Sequence, residues 1–266
     1  MTGPQLRVIS LGAGVQSTTM ALMAAQGEIG PMPDCAIFAD TGWEPKAVYE
    51  HLSRLEAHLP FPVYRVSGGN IREHILRNTK STGQRFASVP WFLSNGGMGR
   101  RQCTREFKII PLEKKQRELL GYKPRRRIPP GSVEVWVGIS VDEAIRMKPA
   151  RNRWQVNRWP LIEAGMARHH CVSWLSSHPI RSAPKSACKG CPFHSDAQWR
   201  EIKSDPEDWN DVVEVDQALR NGGRGMRAKQ FMHAKRIPIE DVDLSTPEER
   251  GQLNLFLNEC EGMCGV

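Results

Sequence analysis

No stretch of about 18 consecutive apolar residues occurs in the chain, which excludes a transmembrane helix. There is no internal repeat and no low-complexity tract, so solenoid and propeller arrays are excluded too. The opening segment, MTGPQLRVISLGAG, lacks a charged region followed by an apolar one, so no secretory signal is expected. Acidic residues are in deficit: 29 Asp+Glu stand against 37 Lys+Arg, giving a net charge of +8 and a pI near 9.3. That imbalance points to a polyanionic partner, a nucleotide or a nucleic acid, with a solvated basic surface as the plain alternative. What is present is globular: 266 residues, 39% hydrophobic and 25% charged, enough for one large domain or one domain plus an appendage. Seven cysteines, an odd number that includes one Cys-x-x-Cys, imply metal or redox chemistry rather than disulfides, and a cytosolic location.

The first 150 residues alternate strand-like and helix-like segments. Apolar runs at Leu6–Leu11, Cys35–Ala39, Pro62–Val66 and Val133–Ser140 read as buried strands. Helical periodicity covers Ser17–Gln26, Lys46–Leu59, Ile71–Arg77 and Pro111–Leu120. This alternation predicts an α/β fold with a doubly wound, mostly parallel sheet. Ser81–Arg101 is rich in Gly, Ser, Asn and Arg and reads as a long loop. Beyond about residue 150 strand character fades, and 151–266 is expected to be a helical, cysteine-containing region, with helices over Ala167–Ser176, Asp196–Lys203 and Asp208–Leu219. Ser204 or Asp205 would cap the last of these.

Between the first strand and the first helix lies Ser10-Leu-Gly-Ala-Gly-Val-Gln-Ser-Thr18. Gly12 and Gly14 let the backbone approach an anion, Ser17 and Thr18 bring hydroxyls, and a helix N-terminus offers N–H groups. A phosphate cradle at the carboxyl end of a parallel sheet is the functional reading; a ligand-free tight turn is the alternative. The segment is neither the Walker pattern nor the dinucleotide GxGxxG. Asp40-Thr41-Gly42 closes the second strand, where a carboxylate can take ribose hydroxyls or a magnesium ion.

These two motifs, in this order, resemble the PP-loop ATP pyrophosphatases and the phosphoadenosine phosphosulfate (PAPS) reductases, branches of the adenine nucleotide alpha hydrolase-like superfamily. In the PP-loop pattern Ser-Gly-Gly-x-Asp-Ser, Gly12 takes the first Ser position and Gln16 the Asp position. Gln102-Cys-Thr-Arg-Glu-Phe-Lys-Ile-Ile-Pro-Leu112 resembles the Cys-x-x-x-x-Lys-x-x-Pro-Leu stretch of the reductases, and Gly138-Ile-Ser-Val-Asp-Glu-Ala-Ile-Arg146 resembles their later strand-loop element. The resemblance covers roughly residues 6 to 195. It implies an adenine nucleotide, ATP or PAPS/APS, on Ser10, Gly12, Gly14, Gln16, Ser17, Thr18, Asp40, Thr41, Gly42 and Gly138, with Mg2+. Arg105, Lys108 and Arg146 would meet phosphate or sulfate, Arg146 as a catalytic candidate.

Cys188-Lys-Gly-Cys191 has ligand spacing for one metal or one cluster, and Lys185 and Lys189 would lower the thiol pKa values. The resemblance implies a 4Fe-4S cluster with Cys103, Cys188 and Cys191, and with Cys171 as a fourth ligand or no fourth ligand at all. A zinc site of Cys188, Cys191, Cys260 and Cys264 is the alternative. Glu259-Cys260 resembles the Glu-Cys-Gly tail motif of PAPS reductases, so Cys260 or Cys264 is the candidate nucleophile or sulfur carrier.

Basic runs at Arg100-Arg101, Lys123-Pro-Arg-Arg-Arg127 and Arg146, Lys148, Arg151, Arg153 and Arg158 would track a nucleic acid, or form a solvated face. Three functions are therefore expected from the resemblance and the charge. One is an ATP-dependent sulfurtransferase that adenylates tRNA or DNA and inserts sulfur from the cluster or a persulfide, with a cysteine desulfurase as donor. The second is a PAPS or APS reductase that makes sulfite with thioredoxin. The third is a non-catalytic, zinc-containing nucleotide- or nucleic-acid-binding protein.

Overall fold

Short aliphatic runs bounded by turns build a central sheet in the computed structural model, which describes residues 3–77, 88–220, 228–246 and 249. In chain order the elements are β1 (Leu6–Leu11), α1 (Val15–Ala25), β2 (Cys35–Asp40), α2 (Lys46–Glu56), β3 (Val63–Ser67), α3 (Ile71–Arg77) and β4 (Phe92–Leu93). A π-helix at Thr104–Ile109 runs into α4 (Ile110–Leu119), followed by β5 (Val133–Val137) and a 3-10 helix at Val141–Arg146. Then come β6 (Gln155–Arg158), α5 (Pro160–Glu163), α6 (Arg168–Ser176), α7 (Asp196–Lys203), α8 (Pro206–Arg220), β7 (Gln230–Phe231) and a 3-10 turn at Ile239–Asp241.

The chain divides into two units whose segments interleave. The first comprises Met1–Gly68 and Arg105–Ser186. It holds a five-stranded, all-parallel sheet in the order β3-β2-β1-β5-β6. Alternate residues of each strand serve the two faces. Ile9, Leu11, Ala36, Phe38 and Trp136 pack in one cluster with Met20, Leu52, Leu55 and Leu175 of α1, α2 and α6. Leu6, Val8, Cys35, Ile37, Val133 and Val135 pack in the other, with Leu112 and Leu119 of α4 against it. A sheet apolar on both faces must be covered on both, as the helix placement achieves.

The sheet extends past the boundary expected near residue 150, because β6 belongs to it: Val133 pairs with Gln155 and Trp136 with Arg158. Gln155-Val-Asn-Arg158 carries little apolar signal since it is an edge strand, with Val156 pointing to solvent.

The second unit comprises Gly69–Thr104 and Ala187–Val266. Here β4 and β7 pair antiparallel, Phe92 opposite Phe231. Arg72 of α3 bonds Asp211 and Glu214 of α8. Asp205 caps α8, accepting from the amides of Glu207 at 2.9 Å and Asp208 at 3.1 Å. Asp216 of α8 is fully buried and accepts from the Met232 and Ile239 amides and from Arg220. Burial pushes its carboxyl above the usual range. No helix among the described residues is long and apolar enough to cross a membrane.

Candidate anion-binding site at the first strand-helix turn

The strand order runs outward from β1 through β2 to β3, then resumes on the other side of β1 with β5 and β6. The carboxyl ends of β1 and β5 therefore flank a topological switch point, the place where open α/β sheets leave a ligand crevice. Ser10 lies there, in register with Ile37 on one side and Val137 on the other.

The turn from β1 to α1 is Gly12-Ala13-Gly14. Ala13 is fully buried and holds φ = 59°, a left-handed conformation that costs a non-glycine residue energy and persists only where its surroundings enforce it. Ser17 ties the turn back on itself: its Oγ accepts from the Gly14 amide and donates to the Gly14 carbonyl, both at 3.2 Å. The Thr18 amide reaches the same carbonyl at 2.9 Å. Gly138, just past β5, presses against this turn. A Cβ there would stand 3.0 Å from the Ser17 amide nitrogen and Cα, so only glycine lets β5 approach the helix start so closely. Ser186 and the Pro184 carbonyl lie 3.6–3.8 Å from where a Gly14 Cβ would sit.

The side chains expected around the loop divide into three groups. Some face the core: Thr18 is fully buried, with Oγ1 2.9 Å from His51 Nε2. Its hydroxyl braces α1 on α2 and does not enter a cradle. Burial, aided by the charge of Arg54, lowers His51 to about 4, so this imidazole is neutral at pH 7.

A second group is tied into local turns. Asp40 Oδ1 accepts from the Gly42 amide at 2.7 Å and from the Tyr49 hydroxyl at 2.9 Å, with Gly42 at φ = 69°. Burial and this bond to Asp40 raise the Tyr49 phenol well above its ordinary value. Thr41 donates to Glu44 at 3.1 Å, and Lys108 pairs with the same Glu44 oxygen at 3.3 Å. Lys108 thus neutralises a buried carboxylate.

The third group forms a chain at the loop itself. Gln16 donates from Nε2 to Glu143 at 3.2 Å and accepts at Oε1 from Arg168 at 3.0 Å. Glu143 pairs with Arg146 at 2.7 Å. Arg105, in the π-helix, is exposed. Gly68 lets that π-helix come close, since a Cβ on it would meet the Glu106 carbonyl at 2.7 Å. Glu143 and Arg168 are not singled out by the sequence: Glu143 lies inside the Gly138–Arg146 segment, whereas Arg168 is separated from Gln16 by 152 positions and carries no motif.

A magnesium ion does not fit at Gln16. Both ends of its neutral amide are engaged, and the aspartate of the PP-loop pattern is absent there.

The expected metal-binding cysteines fall in two places. Cys171 lies in the first unit, fully buried among Leu161, Leu175 and Met20 of the apolar cluster. Burial raises its thiol to about 11, the behaviour of a core cysteine rather than of a thiolate ligand. Cys103, Cys188 and Cys191 are in the second unit, each half-buried. Cys188 to Cys191 is a turn closed by the Cys191 amide on the Cys188 carbonyl at 3.0 Å. His194 Nε2 lies 2.9 Å from that carbonyl and Nδ1 3.3 Å from Gln198, so this imidazole braces the turn with both nitrogens. Lys189 pairs with Asp208 at 2.7 Å and Asp211 at 3.1 Å, which ties its charge to carboxylates. Among the described residues no three His, Cys, Asp or Glu side chains converge on a metal site. Cys260 and Cys264 lie outside the described residues.

Of the basic segments, Lys123, Arg125, Arg126, Arg127, Lys148, Arg151 and Arg153 are exposed. Arg158 is structural: it pairs with Glu163 at 2.7 Å, caps the Gly30 carbonyl at 2.8 Å and stacks on Trp136.

No family model matches the sequence, and no curated protein matches it. Among solved structures, the chain is similar to the crystal structure of phosphoadenylyl-sulfate (PAPS) reductase from Candida auris in complex with phosphate, at 12% identity and a TM-score of 0.45, over 70% of this chain and 76% of that one.

Proposed function

We propose that the protein is an enzyme of sulfur chemistry that takes the phosphates of an adenine nucleotide on the β1–α1 turn, as a PAPS or APS reductase. The observation that carries this reading is the turn itself: a glycine-framed backbone cradle at the β1/β5 switch point, with Gly138 packed against its helix start. The sequence resemblance supplies the adenine and the sulfur. The neutral, fully engaged Gln16 favours the reductase over magnesium-assisted cleavage of ATP.

In this reading a tail thiolate, Cys260 or Cys264, attacks the sulfonyl sulfur. The S–O bond to the nucleotide phosphate breaks, the nucleotide leaves, and a cysteine S-sulfonate remains. A dithiol reductant such as thioredoxin then attacks the cysteine sulfur, releases sulfite and is itself oxidised to a disulfide. Cys188 and Cys191, which share one turn, would hold an iron–sulfur cluster or zinc through their thiolates if one is bound, with Cys103 the further soft ligand in the same unit.

The second reading, an ATP-dependent sulfurtransferase acting on nucleic acid, is favoured by the exposed arginines of residues 125–127, 151 and 153. Product analysis on anaerobically purified protein separates the two. Sulfite from PAPS or APS with thioredoxin, and no AMP from ATP with tRNA or DNA, is the expected outcome. AMP and pyrophosphate from ATP with nucleic acid, without sulfite from PAPS or APS, would overturn it in favour of sulfur transfer.

A further inference from the structure

We infer that Arg168, at the start of α6, is the cation that meets a phosphate group on the β1–α1 turn, held there by Gln16, the residue at the Asp position of the PP-loop pattern. The inference rests on reading that turn as a phosphate cradle.

Four side chains meet at the turn, and their charges are unequally matched. Glu143 carries one negative charge and holds Arg146 at 2.7 Å. The same Glu143 oxygen accepts from Gln16 at 3.2 Å. Arg146 is therefore largely neutralised. Arg168 reaches the other end of the Gln16 amide with a single Nη1–H at 3.0 Å. Its hydrogen-bond partner there is neutral and it makes no salt bridge within 4.0 Å among the described residues; the exposed Asp142 carboxylate, which accepts from the Arg168 amide, is the nearby charge that it feels. The fork is exposed and keeps donors for a second acceptor. A guanidinium whose one side-chain hydrogen bond goes to a neutral amide, beside the glycine turn at the start of α1, keeps donors that can take phosphate oxygens.

The helix end is not the site. The Arg168 amide donates to Asp142 at 2.8 Å, and the Ala167 amide donates to His170 Nδ1 at 3.1 Å, so both groups are already satisfied. The helix is also fixed relative to the turn. Thr19 of α1 donates to the Cys171 carbonyl of α6 at 3.4 Å, and Cys171 and Leu175 are packed in the core that α1 shares. Gln16 acts as the positioning residue: being neutral, it orients the guanidinium without cancelling its charge, which an aspartate there would do.

The test is calorimetric titration of the full-length protein with ATP and with inorganic pyrophosphate, each with Mg2+ and with EDTA. For wild type, affinity is expected to be the same within about twofold in EDTA. Arg168→Ala should weaken both ligands about tenfold or more, as loss of a charge-assisted bond does. Arg168→Lys should recover part of that loss, and Arg146→Ala should cost less than Arg168→Ala. Thermal melting of each variant verifies folding, and Arg168 is exposed enough for the variants to fold. If Arg168→Ala binds like wild type while Gly12→Ala loses binding, the cradle stands and the inference is overturned. If EDTA abolishes wild-type binding and Arg168→Ala has no effect, a metal carries the charge and the inference is likewise overturned. Absence of any binding by wild type would overturn the reading of the cradle, and the inference with it.

Discussion

The β1–α1 turn of the first unit, the candidate anion cradle, and the cysteine turn of the second are both short loops, yet they are held in different ways. The cradle is backed by a core. Ala13 and Thr18 beneath it are fully buried, and Gly138 locks its helix start by backbone contact. The cysteine turn is held by side chains instead: His194 bridges the Cys188 carbonyl and Gln198, and Lys189 is clamped by two aspartates. A core-backed loop keeps its shape before a ligand arrives, so its affinity is preorganised. A turn held by hydrogen bonds has less to keep it closed, and bound metal would add to its stability.

The largest expected effect sharpens this contrast through pH. His51 has an unfolded value near 6.5 and is held near 4 when folded, so the unfolded chain binds the extra proton first. Stability is full above pH 6.5 and falls as the pH drops toward 4, by about 3 kcal/mol from this group. Urea unfolding at pH 7 and pH 4.5 should show the loss, and His51→Gln should flatten it. An unchanged pH dependence in that variant would remove His51 from the support of α1.

Next in size is Gly138→Ala. The added methyl meets Ser17 backbone at 3.0 Å, and displacing the helix start should cost about 1–3 kcal/mol in denaturant unfolding and weaken pyrophosphate binding. Gly12→Ala breaks the comparison in the other direction. Its Cβ finds only ordinary contacts, 3.6 Å to Ser17 and 4.0 Å to Ser186, so stability should change by less than about 1 kcal/mol while anion binding falls.

A further set of substitutions separates two kinds of cysteine. Cys171→Ala should cost about 1–2 kcal/mol as a small core deletion and leave metal content per chain unchanged. Cys188→Ala and Cys191→Ala should lower iron or zinc content, measured by plasma emission on anaerobic protein. Equal metal loss in all three would make Cys171 a ligand.

The candidate turn is legible in the sequence because its residues are contiguous. Gly12, Gly14 and Ser17 sit within one turn, and Leu6–Leu11 and Cys35–Asp40 are apolar on both faces, the mark of interior parallel strands. Less legible features depend on partners distant in sequence. Thr18 resembles a cradle hydroxyl until His51 is known to lie against it, and Cys171 resembles a ligand until Leu175 and Met20 enclose it. Arg168 is one of 37 basic residues, and only folding brings it to Gln16. The edge strand β6 and the two-residue strands β4 and β7 are too short or too polar for periodicity to reveal them.

The claim on which the rest depends is that nucleotide phosphate binds at the β1–α1 turn. Hydrogen–deuterium exchange of the full-length protein, with and without PAPS, tests it at peptide resolution. Binding at the turn predicts slowed exchange in peptides covering Ser10–Thr18 and residues 138–146, together with the start of α6. Protection confined to other segments, with the Ser10–Thr18 peptide unchanged at saturating PAPS, would contradict it.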